Sequence, residues 1–311
     1  MLNITLRQMT VFNAVAKHLS FTRAAEELHL TQPAVSMQIK QLEEAIGHKV
    51  LEQFGKKNYL TTAGKEMQYY TRKILDLMQE TEEVMQDLAG LRKGSLDIAV
   101  ASTANEFSTK ILAAFSQMHE ELNYRLDVTN RKTLLDKLSN NETDLVIMGR
   151  PPEEMDVEME QFMENPLVII SSANHPLAHQ KNIPISELVN HTFVVREKAS
   201  GTRMSIERFF QEHNITMSSS MEMTSNTAIK QAVQAGLGLG IVSIHTIELE
   251  LETRRLAILD VVDFPIMRHW YVVYKRGKRL SGIAEAFKQF VLQNASSFVH
   301  PEIAKALQNY K

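Results

Sequence analysis

The apolar residues of the first sixty positions recur in short helical stripes. Between Leu6 and His18, the residues Leu6, Met9, Val11, Phe12, Val15 and Ala16 return at three- and four-residue steps, which predicts an amphipathic helix with one buried face. Ser20 is placed to cap a second helix, Phe21-Thr22-Arg23-Ala24-Ala25-Glu26-Glu27-Leu28, by accepting a hydrogen bond from a first-turn amide that has no helical partner. After a brief His29-Leu30 turn, Thr31 reads as the N-cap of a third helix. Pro33 is tolerated in its first turn, and Gly47 ends it. Val35, Ile39, Leu42 and Ile46 form the core stripe of that helix, leaving Gln32, Pro33, Ser36, Met37 and Lys40 on the opposite face. Lys49 to Leu60 then alternates two short apolar segments around a Gly55-Lys56-Lys57 tip, the pattern of a hairpin.

Further along, Met67, Tyr70, Ile74, Leu77, Thr81, Val84, Leu88 and Leu91 are spaced 3, 4, 3, 4, 3, 4, 3. A seam that narrow over three heptads predicts a long helix paired with another along its length, and hence a dimer. Beyond Gly94 the pattern changes to apolar strands alternating with helices. Strands at 96–101, 124–128 and 144–148 enclose helices at 106–118 and 132–140, which predicts βαβ units and a mainly parallel sheet. A second round has strands near 167–170, 193–195, 221–223 and 240–242, with helices at 202–212 and 227–235. The strand 270–274 and the helix 281–293 return to the first round. Crossings near Glu164-Asn165-Pro166 and Asp263-Phe264-Pro265 predict two lobes about a cleft, a favoured place for a small ligand. The residues from Val299 onward read as a short amphipathic helix starting at Pro301.

The expected organisation is therefore three-part. Residues 1–60 form an all-α winged helix-turn-helix, 61–92 a dimerisation helix, and 93–311 an α/β two-lobed body, with lobe I at about 93–164 and 266–298 and lobe II at about 165–265. The hydrophobic fraction of 44% and charged fraction of 23% are those of an ordinary soluble protein, and no apolar run approaches the ~18 residues of a membrane span. The opening residues lack the layout of a secretory signal, so a cytoplasmic protein without a membrane partner is expected. The absence of cysteine excludes disulfides, thiolate nucleophiles and thiolate metal sites. The net charge of −3 conceals an asymmetry: residues 1–65 hold eight basic against five acidic side chains, so the first module is basic and the body acidic.

A helix preceded by a short helix and a tight turn presents its N-terminal residues to base edges in a major groove. Candidate DNA contacts are accordingly Ser20, Thr22, Arg23, Thr31, Gln32, Pro33, Ser36, Met37 and Lys40, joined by Gln53, Lys56 and Lys57 on the hairpin. In the body, helix openings at the cleft offer amides, hydroxyls and the positive end of a dipole, so the expected guest is a small anion. Candidates there are Ser102, Thr103 and Asn105, then Ser200, Gly201, Thr202 and Arg203, then Arg150, Asn226 and Thr227. No catalytic pair, metal cluster or cofactor is expected. Gly236-Leu-Gly-Leu-Gly follows a helix and precedes a strand, the reverse of a dinucleotide-binding loop, so a helix C-cap is its better reading. His175 and His179 read as a surface loop.

Ser20-Phe-Thr-Arg-Ala-Ala-Glu-Glu-Leu, Thr31-Gln-Pro-Ala-Val-Ser, Ile39-Lys-Gln-Leu-Glu and Leu60-Thr-Thr-Ala-Gly resemble the LysR-type transcriptional regulators. The resemblance implies a periplasmic-binding-protein-like effector domain, promoter DNA as partner, a homodimer or dimer-of-dimers tetramer, and RNA polymerase as a further partner. It also implies that ligand shifts the lobe or dimer arrangement. One departure is Leu51-Glu-Gln53, where the family has Phe-x-Arg. Leu145-Val-Ile-Met-Gly-Arg-Pro-Pro, Gly201-Thr-Arg, Ser225-Asn-Thr-Ala-Ile-Lys-Gln-Ala-Val and Arg268-His-Trp-Tyr-Val-Val look most like the regulators of Calvin-cycle carboxylase (RuBisCO) operons, implying a phosphorylated or carboxylated effector. The alternatives are a regulator of the same class with another effector and regulon, such as sulfur or nitrogen metabolism, and, least favoured, a small-molecule-binding protein or enzyme without a DNA role.

Overall fold

The structure, a computed structural model, describes residues 3–55, 57–88, 94–198, 200–217 and 219–308, without the side chains of 83, 86–88, 219–220 and 307–308. The chain divides into two units, Met1–Gly90 and Leu91–Lys311.

The first unit opens with helix α1 (Leu6–His18), capped by a reciprocal Thr5–Gln8 box, and α2 (Phe21–Glu27), capped by the Ser20 hydroxyl. Helix α3 (Gln32–Ile46) starts on the Thr31 hydroxyl and ends at Gly47, whose φ of 73° suits a residue without a Cβ. Val11, Phe12, Val15, Ala24, Ala25, Val35, Ile39 and Leu42 close a common core, the paired alanines letting α2 approach its neighbours. Strands β1 (Leu51–Phe54) and β2 (Lys57–Leu60) form the wing, with Leu51 opposite Leu60 and Phe54 opposite Lys57. Helix α4 (Thr62–Leu88) starts where the Thr61 hydroxyl accepts the Gly64 amide at 2.9 Å. Gly64 has no substitute here, because a Cβ would lie 2.0 Å from the Val50 carbonyl oxygen.

On α4, Met67 packs against the domain core, whereas Tyr70 (57% exposed), Ile74 (38%) and Leu77 (62%) lie open on one stripe beside Met78 and Met85. Leu91, the last residue of the predicted seam, lies outside the described residues, as does Lys56 at the wing tip.

The second unit holds two five-stranded sheets. Lobe I contains β3 (Ser95–Ala101), α5 (Asn105–Ser116), β4 (Asn123–Thr129), α6 (Arg131–Ser139), β5 (Leu145–Met148) and β6 (Val157–Glu164). Lobe II contains β7 (Leu167–Ser172), β8 (Phe193–Arg196), α7 (Gly201–Glu212), β9 (Ser219–Met223), α8 (Asn226–Gln234), β10 (Leu239–Ser243), α9 (Glu248–Glu252) and β11 (Leu256–Ile258). Strand β12 (His269–Lys275) and α10 (Gly282–Asn294) return to lobe I, and α11 (Pro301–Gln308) ends the described chain.

The sheet orders are β4-β3-β5-β12-β6 and β11-β7-β10-β8-β9. Neither is mainly parallel, which corrects the sequence expectation. In lobe I, β12 runs antiparallel to β5 and β6, and in lobe II β7 runs antiparallel to β10 and β11. In each sheet the strand by which the chain enters from the other lobe, β12 in lobe I and β7 in lobe II, runs against both of its neighbours. Strands β6 and β11, which the sequence reading left out, are both sheet edges. Val157-Glu-Met-Glu alternates apolar and charged residues, a charged edge of the sheet, before the pattern breaks at Phe162-Met163, opposite the register shift between Trp270 and Tyr271.

Among the described residues of the first unit, Glu43 is the one buried carboxylate. It is 9% exposed and accepts the buried Val50 amide at 3.0 Å and the Lys49 ammonium at 2.6 Å. Glu43→Ala strands that amide and should lower the unfolding free energy by about 1–3 kcal/mol. Lys49→Ala removes only the exposed half of the pair and should cost clearly less than the glutamate change. Urea titration of both variants checks this, and equal losses would contradict the assignment.

Candidate functional site

Two surfaces collect the chemistry. The first is the outer face of α3, where Gln32, Pro33, Ser36, Met37 and Lys40 are all exposed, Met37 by 54%. Lys40 reaches only Glu44, 3.9 Å away and itself exposed, so its charge is hardly neutralised. Thr31, Thr22 and Arg23 are exposed and Ser20 half-buried, the Ser20 and Thr31 hydroxyls being engaged as caps. On the wing, Gln53 and Lys57 are exposed, and Phe54 stands 65% exposed with its ring edge-on to Tyr59 at 5.9 Å.

The second surface is a cleft of about 760 Å³ in the two-lobed unit. Its wall includes the end of β3 with Ser102 and Thr103, the start of α6 with Asn130 and Arg131, and Gly149 and Arg150 after β5. From lobe II come Arg196 and the first turn of α7, and the returning segment contributes Arg268 and Trp270. Five arginines face two glutamates around it, so the cleft is cationic although the chain as a whole is acidic.

Each lobe II donor is positioned locally. Ser200 caps α7 by accepting the Thr202 amide at 3.2 Å, which leaves the other first-turn amides toward the cleft. Gly201 lets the Arg131 side chain approach: a Cβ there would sit 3.2 Å from Arg131 Cδ. Arg131 in turn donates to the Arg150 carbonyl at 2.9 Å. Arg196, 4% exposed, is fully engaged, making a two-pronged pair with Glu197 and donating to Asn226 Oδ1 at 2.9 Å.

Arg268 is different. Its Nη1 makes only long hydrogen bonds, 3.5 Å to the Gly201 carbonyl and 3.4 Å to Ser205 Oγ, while Nε and Nη2 are sealed from solvent without a partner. Burial, with the neighbouring Arg131 charge second, pulls its pKa down to about 10. Burial alone lowers that of Arg131. Trp270, 1% exposed and packed on Phe107 at 5.4 Å, also has an unpartnered indole Nε1. Arg268 and Trp270 both line the cleft, and each keeps buried donors without a partner.

Of the predicted effector residues, Ser102, Thr103, Arg150, Ser200, Gly201 and Thr202 line this cleft; Asn105, Arg203, Asn226 and Thr227 do not. Asn105 has turned onto Thr109, Arg203 points along its helix to Glu207 at 2.6 Å, Asn226 holds Arg196, and Thr227 lies on the surface. Sequence reasoning missed Arg131, Arg268 and Trp270. Arg131 opens a helix directly after a strand, the same signal that singled out Ser102. Arg268 and Trp270 carry no local signal beyond their place at a lobe crossing.

The segment Gly236-Leu-Gly-Leu-Gly runs from just beyond α8 into β10, with Gly236 at φ 80° past the helix end. Gly238 passes so close to Thr192 that a Cβ would lie 2.4 Å from its carbonyl oxygen. His175 and His179 bracket a short 3-10 turn, and His175 Nδ1 accepts the Leu177 amide. Among the described residues no helix is long and apolar enough to cross a membrane, and no cluster of three His, Cys, Asp or Glu could hold a metal.

The sequence matches two family models: "Bacterial regulatory helix-turn-helix protein, lysR family" over residues 6–65, and "LysR substrate binding domain" over residues 89–296. It is 55% identical over 295 residues to a RuBisCO operon transcriptional regulator of Allochromatium vinosum, covering 95% of this chain and 98% of that one. It is 43% identical over 308 residues to the HTH-type transcriptional activator CmpR of Synechocystis, covering 99% of each. Among solved structures, the Synechocystis CcmR regulatory domain in complex with 2-PG superposes with a TM-score of 0.63 at 40% identity, covering 65% of this chain and 98% of that one. With a regulatory helix-turn-helix and a substrate-binding domain both matched in sequence, the chain belongs to the LysR family of bacterial transcriptional regulators.

Proposed function

We propose that this LysR-type regulator acts in the cytoplasm on promoters of carbon-fixation genes, and that a small phosphorylated or carboxylated metabolite in the cleft sets its activity. The relatives named above support the regulon, since an operon regulator and an activator of this type resemble the chain over nearly its whole length. The observation that carries the effector is a cleft wall that brings Arg131, Arg150 and the half-paired Arg268 together with the first turn of α7. An anion with several acceptor oxygens suits a helix N-terminus and several guanidiniums together. 2-Phosphoglycolate, with a phosphate and a carboxylate, is the natural first choice given the 2-PG complex of the related domain. Ser102, Thr103, Arg131, Arg150, Ser200, Gly201 and Thr202 would complete its surroundings. This reading assigns no catalytic step to the chain.

On the DNA side, Gln32, Pro33, Ser36 and Met37 face a major groove, Lys40 and Arg23 contact phosphate, and Ser20, Thr22 and Thr31 hold the helix starts against the backbone. Gln53 and Lys57 take the wing's share. The open Tyr70-Ile74-Leu77 stripe of α4 pairs with a second copy, as a helix with so apolar an exposed face requires in water. Two copies give two reading heads, and a dimer of dimers gives four.

Three outcomes follow. Lys40→Ala should weaken promoter binding and reduce the slope of log K against log salt by about one, the loss of a single phosphate contact. A slope unchanged from wild type removes Lys40 from the backbone. Leu77→Asp, read by analytical ultracentrifugation, should dissociate the dimer at micromolar concentration; an intact dimer would place the interface elsewhere. Arg268→Met should abolish calorimetric binding of 2-phosphoglycolate while raising the thermal stability of the ligand-free protein, by about 1–3 kcal/mol, because an apolar chain of similar length replaces a half-paired buried charge. Wild-type affinity in Arg268→Met would sink the effector assignment.

A further inference from the structure

Helix α10 and the turn after it belong to lobe I: Phe287, Val291 and Ala295 are buried in its core, with Phe298 packed against them. Five residues beyond Phe298, Ile303 of α11 is 1% exposed in the core of lobe II, among Val168, Ile170, Val242, Ile247 and Leu256. Val299 and Ala306 pack on the same cluster. The chain therefore crosses between the lobes a third time, after the paired crossings at Asn165 and Arg268, and is fastened at both ends by buried apolar side chains.

A set of ion pairs binds the same flank. Lys110 on α5 of lobe I grips both carboxylate oxygens of Glu248 on α9 of lobe II, at 2.7 and 2.8 Å, and His300 of the crossing stands 3.9 Å from that carboxylate. Lys230 on α8, 8% exposed, holds Glu250 at 3.0 Å and stands 3.7 Å from Glu106 of α5. Beneath them His245, 3% exposed, makes a hydrogen bond with the Glu164 carbonyl at 2.9 Å, its ring against Phe107. A two-strand hinge alone leaves lobes open to bending or shear. Here one flank of the hinge is sealed by a buried side chain, two charged bridges and a ring contact.

We propose that residues 299–308 are a strap that fixes the aperture of the effector cleft, so that ligand acts on a pre-closed site and not by drawing the lobes together. Preorganisation of this kind raises affinity for a small ligand by sparing it the work of closure. The strap lies beyond residue 296, where the match to the substrate-binding family model ends. The aperture bears on regulation through the effector reading above, but it is a property of the ligand-free protein and is measured without ligand.

The native chain has no cysteine, so Lys132→Cys with Glu212→Cys introduces a unique label pair at exposed positions of α6 and α7, one in each lobe. Spin labels on the full-length protein, diluted with unlabelled chain so that each measured pair lies within one subunit, report the aperture by pulsed dipolar spectroscopy. The strapped protein is expected to give one narrow distance distribution, the same with and without 2-phosphoglycolate. Ending the chain after Phe298, or Ile303→Asp, should shift and broaden it toward longer distances, with Lys110→Ala intermediate. The truncated chain should also bind 2-phosphoglycolate about tenfold more weakly. A truncated chain with the wild-type distribution, or a broad distribution in wild type, overturns the strap. If truncation and Ile303→Asp both abolish cooperative melting, Lys110→Ala carries the test, and no change there overturns it equally. Failure of 2-phosphoglycolate to bind any variant counts against the effector reading and leaves the distance measurement standing on its own.

Discussion

Two sealed donors on one guanidinium are the constraint around which the two-lobed unit is arranged. Leaving a buried donor unsatisfied costs about 1–3 kcal/mol each, and charged groups cost more than neutral ones. Arg268 nevertheless stays in place because the backbone leaves it no alternative. Its carbonyl accepts the Asn165 amide at 2.7 Å at the paired lobe crossing, and its side chain lies under the first turn of α7. Moving Arg268 to solvent would unpick the crossing itself. The cleft therefore stores an electrostatic deficit in the ligand-free state, deepened by Arg131, which the proposed anion would relieve. Binding energy at such a site comes largely from relieving what the fold imposes, which explains why a cationic cleft can persist in an acidic chain.

What the sequence made legible is what local chemistry decides. The caps at Ser20 and Thr31 and the glycine ending α3 act within one turn of the residues they serve, so the helix-turn-helix and its outward face could be read almost directly. The exposed stripe of α4 followed from a heptad count. The cleft was legible only in part, because its wall is assembled from segments more than a hundred residues apart. Ser102, Ser200 and Thr202 announced themselves as strand-to-helix junctions. Arg268 and Trp270 were placed by sheet topology, and topology came out mixed where a parallel sheet was expected. Arg203, Asn226 and Thr227 show the limit of the junction signal. Each residue further into a helix turns the side chain by a wide angle, so a position one or two past the opening can face its own helix, a neighbouring arginine or solvent.

The wing separates this chain from the general pattern of its family in a physically specific way. Gln53 carries no charge where an arginine is usual, and beside it an exposed Phe54–Tyr59 pair meets the solvent. A wing with an amide and two aromatic rings contributes less to counterion release than one with a guanidinium. On the proposed DNA contacts, more of the electrostatic component of binding would then come from Lys56 and Lys57 and from the cations around α3. Shape and apolar contact would take a larger share of what remains.

The last element, α11, alters how a signal could leave the cleft. If the lobes cannot swing, because Ile303 and the Lys110–Glu248 bridge hold one flank, the ligand's effect must appear as smaller shifts in the parts that touch it: the first turn of α7, the Gly149–Pro152 segment held by Arg131, and the start of α6. Packed interiors respond to such shifts by switching between discrete arrangements and not by bending continuously. The strap would thus turn a hinge into a rigid frame. An anion arriving between Arg131 and Arg268 would then compete with the Arg150 carbonyl for the Arg131 guanidinium, and the segment released by that exchange is where a change of subunit arrangement would begin.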